Sequence, residues 1–138
     1  MKTGTKHDTG KLRYDLIPTF GHAELARVFT IGAKKYADNN WRGGFKYGRV
    51  ISAAIRHLEA FRRGEKYDPE DGQLHLSSLA WCAYILMEFD EFNIGEDDRI
   101  LYGQKTLKRK KMSPVLDSIA TRKAGKRRRT GSKRHSLR

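Results

Sequence analysis

The sequence lacks the features of a secreted or membrane protein. Its 138 residues contain a single cysteine, Cys82, so no disulfide can form within the chain, as expected for a reducing cytoplasm. No window approaches the roughly 18 uninterrupted apolar residues of a membrane span, and the N-terminus lacks the apolar stretch of a signal peptide. We therefore expect a cytoplasmic protein without a membrane segment.

Excess charge is also missing from most of the chain. Residues 1–103 carry 15 Lys/Arg and 15 Asp/Glu, whereas residues 104–138 carry 14 Lys/Arg and one acidic residue, which accounts for the whole net charge of +13. The basic stretch has few apolar residues, so we expect it to be disordered when free and able to bind polyanions without sequence choice. The sequence predicts a body, residues 1–103, and a tail, residues 104–138.

Apolar residues in the body recur with helical spacing, which predicts an all-α fold of three or four helices. The first two helices are predicted over residues 19–37 and 47–63, with Thr19 as the cap of the first and Gly64 ending the second. Residues 12–17 are predicted to be irregular or strand-like.

A third helix is predicted from residue 68 to about residue 90, because Asp-Pro-Glu-Asp at residues 68–71 is typical of a helix start. This segment is apolar on most sides. A helix of that kind is buried on more than one face, which favours a bundle core or an interface in a homo-oligomer.

The densest polar tract lies between the second and third helices. Residues 56–75 contain two histidines, five carboxylates and three arginines. Such a mixture suits a cation and an anion together, as in a nucleoside triphosphate with Mg²⁺ or Mn²⁺.

Metal ligands are predicted within this tract at Asp68, Asp71 and His75, whose spacing of three and then four places them on one face of the predicted helix. Mg²⁺ favours carboxylates and water, and Mn²⁺ also accepts imidazole. Helix capping alone would explain Asp68, and capping or ligation would explain Asp71. His75 has no capping role.

His57 shares a face of the second helix with apolar residues, so we expect it to point inward. His57 or Glu59 is a candidate metal ligand or organiser of a phosphate site. The alternative for Glu59 is an ordinary ion pair with Arg56, Arg62 or Arg63.

Other segments offer groups for a nucleotide. Lys11 and Arg13, at a glycine turn, can contact phosphates, as can Lys35, while Asn40 and Trp41 can hold a base. The alternatives are that Lys35 interacts with a helix dipole and that Trp41 fills the core.

The order of these motifs resembles the dATP/dGTP diphosphohydrolase N-terminal domain family, which is common in bacteriophages and looks like a branch of the MazG-like nucleotide pyrophosphohydrolases. The resemblance covers about residues 7–90. It is carried by DTGKLRYDLIP at residues 8–18, GAKKY at 32–36 with Asn40-Trp41, and Arg56-His57 followed by Gly64-Glu65, Asp68, Gly72 and His75.

The resemblance implies a helical, often oligomeric, metal-dependent enzyme that hydrolyses a (deoxy)nucleoside triphosphate, here expected to be a purine dNTP, to monophosphate and pyrophosphate. A phage protein would act in the host cytoplasm. We predict His57 and Glu65 as catalytic, and Asp68, Asp71 and His75 as ligands of Mg²⁺ or Mn²⁺. Substrate contacts are predicted at Lys11, Arg13, Lys35, Asn40, Trp41 and Arg56.

Two other functions are compatible with the sequence. One is a non-catalytic accessory protein that binds nucleic acid through the tail. The other is a related fold that senses nucleotides without cleaving them.

Overall fold

The computed structural model describes residues 3–102. The predicted tail lies outside these residues, so its disorder and its boundary with the body stay predictions. Of the described residues, 17–102 belong to one compact unit and 3–16 to another.

Three helices form the larger unit: α1 (Thr19–Lys35), α2 (Tyr47–Arg62) and α3 (His75–Phe92). A 3₁₀ turn, Asn40–Gly43, lies between α1 and α2. Residues 3–102 contain two isolated β-bridges and no strand, so the all-α prediction is confirmed. None of the helices in this part of the chain is long and apolar enough to cross a membrane.

The smaller unit contains a 3₁₀ turn, Tyr14–Leu16, where an irregular or strand-like segment was predicted. The Leu16 amide donates to the Arg13 carbonyl at 3.2 Å. The same unit holds Lys11, whose Nζ lies 3.6 Å from Asp8, and Arg13, whose Nε donates to Asp15 at 2.7 Å.

α1 begins at Thr19 as predicted, but Thr19 does not cap it. Pro18 occupies the capping position with φ −57°, and no side chain accepts a hydrogen bond there. The fixed φ of proline and its bias of the preceding residue toward extended backbone set this boundary. At the other end the helix stops at Lys35, two residues earlier than predicted.

α2 ends where the sequence indicates. The amide of Gly64, which has φ 94°, donates to the Phe61 carbonyl, and the Glu65 amide donates to the Ala60 carbonyl at 3.0 Å. These bonds satisfy carbonyls that the helix end leaves free. The predicted stop at Gly64 is confirmed.

The predicted start of the third helix at Asp68 is wrong. Residues 68–74 form a turn in which the Asp68 amide donates to the Gln73 carbonyl at 2.7 Å. The Asp68 and Asp71 carboxylates accept from the amides two residues ahead, each at 2.9 Å. Aspartate forms such local bonds in turns as readily as at helix starts. Because α3 begins only at His75, Asp68, Asp71 and His75 do not share one helix face.

The core lies between α2 and α3. Phe89, Ile85 and Cys82 of α3 are 0%, 1% and 2% exposed, and they pack against Tyr47 and Val50 of α2. α1 packs on α3 as well. Trp41 is partly buried against this core, as its alternative interpretation expected.

The opposite side of α3 is exposed. Leu76, Tyr84 and Met87 are 42%, 44% and 58% exposed. Within residues 3–102, α3 is thus covered by both α1 and α2, as expected for a helix buried on more than one face, and only this third side stays exposed.

After α3 the chain returns to the start of α2. The Glu96 amide donates to the Phe45 carbonyl at 3.1 Å, and the Tyr47 amide donates to the Glu96 carbonyl at 2.9 Å. Asp98 accepts from the Gly48 amide at 2.7 Å, which satisfies a free amide in the first turn of α2. Gly95, with φ 77°, lies so close to Phe45 that a Cβ atom would fall 2.2 Å from its carbonyl oxygen.

We expect Gly95→Ala to lower the free energy of unfolding by about 3 kcal/mol or more, because strain at positive φ adds to the clash with Phe45. Gly64→Ala is the matched control: its φ is also positive, but no atom lies within 4 Å of the added Cβ, so only about 1 kcal/mol is expected. Urea unfolding measures both. Equal decreases in the free energy of unfolding in the two variants would contradict the role given to the Gly95–Phe45 contact.

Candidate functional site

Two histidines meet where α2 and α3 pack together. His57 lies in the last turns of α2 and His75 is the first residue of α3, and their Nδ1 atoms are 3.0 Å apart. The His57 side chain is 20% exposed and that of His75 is 6% exposed. The inward orientation expected for His57 is thus present.

Asp68, in the turn between α2 and α3, lies close to the two histidines. Its Oδ2 lies 3.8 Å from His57 Nδ1, while its Oδ1 accepts from the Glu70 amide. One carboxylate oxygen therefore holds the turn, and the other faces the imidazoles. His57, Asp68 and His75 each offer one ligand atom, and these atoms lie within 4.8 Å of one another. We call this group the His–Asp–His cluster.

Glu65 lies on the far side of His75. Its Oε2 is 3.6 Å from His75 Nε2, a buried nitrogen with no hydrogen-bond partner among residues 3–102. Arg63 donates to the other carboxylate oxygen of Glu65 at 3.2 Å. Glu65 thus faces the nitrogen of His75 that points away from His57.

Burial keeps His57 uncharged near neutral pH. Desolvation is the largest influence on the pKa of His57 and lowers it; the Asp68 charge opposes this shift, and His75 reinforces it. A neutral imidazole has a free lone pair for a metal ion or a proton.

The His–Asp–His cluster fits a divalent ion that accepts nitrogen ligands. Metal–imidazole bonds are about 2.1 Å long, so two such bonds at a right angle place their nitrogens about 3.0 Å apart. The two Nδ1 atoms have that separation. Glu65 faces the outer nitrogen of His75, and a carboxylate in such a position commonly orients an imidazole that binds a metal ion.

A cavity of about 570 Å³ adjoins the cluster, with His57 in its wall. Asp71 also lines this cavity rather than joining the cluster. Predicted contacts Lys35, Asn40 and Trp41 line it as well. The structure thus brings these three together with His57 and Asp71.

Lys35 is the cationic side chain among the residues that line the cavity. Its pKa is raised mainly by the neighbouring Tyr36 side chain, with smaller contributions from the charges of Glu70 and Asp71. The ammonium group therefore stays charged at neutral pH.

Other predicted residues lie elsewhere. Arg56 is exposed and lines a separate depression with Arg49 and Asp98. Lys11 and Arg13 belong to the smaller unit. Glu59 forms the predicted ordinary ion pair, accepting from Arg62 at 2.7 Å.

Gln73 lines the cavity but was not predicted from the sequence. It is 5% exposed, and its Oε1 is buried without a hydrogen-bond partner among residues 3–102. No spacing pattern marks a single glutamine in a polar turn. Only the packing of the turn against the helices reveals it.

Cys82 also lines the cavity, but its chemistry is suppressed. Burial raises the pKa of the thiol to about 11. A thiol with this pKa is almost fully protonated at neutral pH, so Cys82 is a packing residue and not a nucleophile.

The helical fold and the polar cluster beside an aromatic cavity describe a small α-helical domain with a candidate site for a metal and a nucleotide. The model of the family described as dATP/dGTP diphosphohydrolase, N-terminal, matches residues 1–99, and the chain belongs to this family. The resemblance identified from the sequence is thereby confirmed.

One relative is a protein of Salmonella phage PMBT28 named dATP/dGTP diphosphohydrolase. It is 37% identical over 78 residues, which cover 56% of this chain and 27% of the relative. The chain thus matches little more than a quarter of that protein's length. No solved structure matches the chain.

Proposed function

We propose that this chain hydrolyses a (deoxy)nucleoside triphosphate, preferentially a purine dNTP, to the monophosphate and pyrophosphate. The observation that carries the proposal is the His–Asp–His cluster at the wall of a cavity lined by aromatic side chains and Lys35. The purine preference is supported by the name of the phage relative.

The cavity offers different chemistry to the two parts of a nucleotide. Phe29, Trp41 and Trp81 supply aromatic faces for a base, and Asn40 supplies hydrogen bonds. Lys35 supplies positive charge for the phosphates. Lys11, Arg13 and Arg56 stay proposed phosphate contacts on the strength of the sequence alone.

The proposed metal ligands are His57, Asp68 and His75. A bound divalent ion would stabilise charge on the phosphate and lower the pKa of an attacking water. Glu65 would orient His75 through its Nε2. Asp71 lies outside the cluster but lines the cavity, so its carboxylate can accept a hydrogen bond from a water or from the substrate.

Two imidazoles in the ligand set favour Mn²⁺ over Mg²⁺. Mg²⁺ binds oxygen ligands and keeps much of its water, whereas Mn²⁺ also accepts nitrogen. The sequence predicts either ion with His75 as the one imidazole ligand, and the position of His57 in the cluster, which adds a second imidazole, supports the choice of Mn²⁺.

We also propose that a second copy of the chain covers the outer side of α3. Leu76, Ala83 and Met87 recur at intervals of seven and four, which places them on one stripe opposite Cys82 and Phe89. An exposed apolar stripe on a helix whose other side forms the core is typical of self-association.

A nucleic-acid-binding role without catalysis depends on the tail, which lies outside the described residues. It would be indicated by salt-dependent DNA binding by a protein that turns over no nucleotide. A nucleotide sensor without catalytic activity would be indicated by a protein that binds nucleotides but hydrolyses none.

The purified protein should convert dATP or dGTP to monophosphate and pyrophosphate in the presence of Mn²⁺ or Mg²⁺. We expect His75→Ala to lower kcat/KM by about 100- to 1,000-fold, since it removes part of the charge-stabilising site. His22→Ala, at an exposed histidine of α1, should leave the rate unchanged. Ion-exchange chromatography of the products measures both.

Release of inorganic phosphate in place of pyrophosphate would indicate stepwise removal and a different site of attack. No turnover of any nucleotide would overturn the enzymatic proposal.

Mn²⁺ should bind at least about tenfold more tightly than Mg²⁺, and Glu65→Gln should weaken Mn²⁺ binding by about 10- to 100-fold. His57→Gln should reduce the difference between the two ions, because it replaces one of the two imidazoles that favour Mn²⁺. Calorimetric titration without nucleotide measures these affinities, with His22→Gln as the control. Equal affinity for both ions in the native protein would contradict the proposed ligand set.

In solution the protein should have at least the mass of a dimer by light scattering. Met87→Glu should shift it toward the monomer, because a charge on the stripe would be buried. Glu88→Gln, next to the stripe and exposed, should leave the mass unchanged. A native protein that is monomeric at all concentrations would rule out self-association.

A further inference from the structure

Gln73 lines the cavity and carries a buried side-chain oxygen without a hydrogen-bond partner among residues 3–102. The residue as a whole is 5% exposed. Buried polar atoms in folded proteins nearly always have partners, and each exception calls for an explanation, such as a functional role or a bound water or ion. The proposed metal chemistry does not involve this residue.

The turn fixes the backbone of Gln73 and leaves only its side chain free. The Gln73 amide donates to the Asp71 carboxylate at 2.9 Å, and its carbonyl accepts from the Asp68 amide at 2.7 Å. Since both backbone groups are satisfied inside the turn, the side-chain amide is the part that can serve a ligand. The same turn carries Asp68 of the metal cluster.

The surroundings of Gln73 suit a flat heterocycle. Trp41, Trp81 and Phe29 line the same cavity, and the rings of Phe29 and Trp81 lie 6.2 Å apart between centroids. Aromatic faces stack on any nucleobase, whereas an amide supplies one acceptor and one donor for its edge. The cavity therefore combines a stacking surface with the Gln73 side-chain amide, which can bind the edge of a base.

A primary amide can match two different purine edges. Adenine presents an amino donor beside a ring nitrogen that accepts, and guanine presents a carbonyl acceptor beside a ring N–H. Rotation of the glutamine amide by half a turn exchanges its oxygen and nitrogen, so that either pair can be met.

Building on the proposed function, we propose that Gln73 binds the edge of the base and that rotation of its amide lets one site accept both 6-amino and 6-oxo purines. Gln73 would then be the residue that makes the enzyme tolerant of adenine and guanine. Asn40 and Trp41 would position the base without choosing between the two.

The test replaces the amide of Gln73, which can both donate and accept hydrogen bonds, with a group that can only accept them. Gln73→Glu presents only acceptors, which match the ring N–H and 2-amino group of guanine but oppose the ring nitrogen of adenine. We expect this variant to shift the ratio of dGMP to dAMP affinity by at least about tenfold toward dGMP. Gln73→Met, of similar length and apolar, should weaken both and keep the ratio near that of the native protein.

Binding of dAMP and dGMP is measured by calorimetry on the full-length protein, with circular dichroism to confirm that each variant folds. Glu88→Gln, exposed on α3 and outside the cavity lining, is the control. An unchanged ratio in Gln73→Glu together with unchanged affinities in Gln73→Met would overturn the inference. Should Gln73→Glu fail to fold, full affinity of Gln73→Met for both nucleotides would overturn it alone.

Because monophosphates are the ligands, this experiment does not depend on catalysis. A native protein that binds dAMP and dGMP through Gln73 but hydrolyses no triphosphate would refute the proposed function and support the inference. If the native protein hydrolyses dNTPs while the Gln73 variants bind dAMP and dGMP with native affinity and selectivity, the proposed function is supported and the inference about Gln73 is refuted.

Discussion

The contact between α2 and α3 determines most of this structure. Cys82, Ile85 and Phe89 place one side of α3 against Tyr47 and Val50 of α2. With that packing fixed, the end of α2 and the start of α3 come together, and their two histidines approach to 3.0 Å between Nδ1 atoms. Hydrophobic burial along the helices thus positions a polar pair at one end of them.

The turn between the two helices completes the site because its bonds are local. Asp68 and Asp71 each use a carboxylate oxygen to hold an amide two residues ahead, so the turn has its shape without help from a ligand. The second oxygen of Asp68 faces His57, and Gln73 is held against the cavity. One short segment therefore supplies both a candidate metal ligand and a candidate base contact.

The sequence predicted well what depends on local rules. The bounds of α2 followed from its apolar period and from Gly64. The start of α3 did not, because Asp-Pro-Glu-Asp satisfies the rules for a helix start and for a turn alike, and pairing between Tyr67 and Leu74 decides for the turn. Periodicity also could not place His57 beside His75, since 18 residues separate them and only tertiary packing relates them. For Gln73 the sequence carries no signal, because its unpaired oxygen is a property of the folded environment.

The return of the chain after α3 has a consequence for biosynthesis. Trp41 and Phe45 line the cavity, yet Phe45 is bonded to Glu96, and the first turn of α2 is bonded to Asp98. A ribosome makes residues 41–45 long before residues 96–98. The part of the wall at Phe45 is therefore secured late in translation, because the Phe45 carbonyl has no Glu96 amide to accept from until residue 96 has been made.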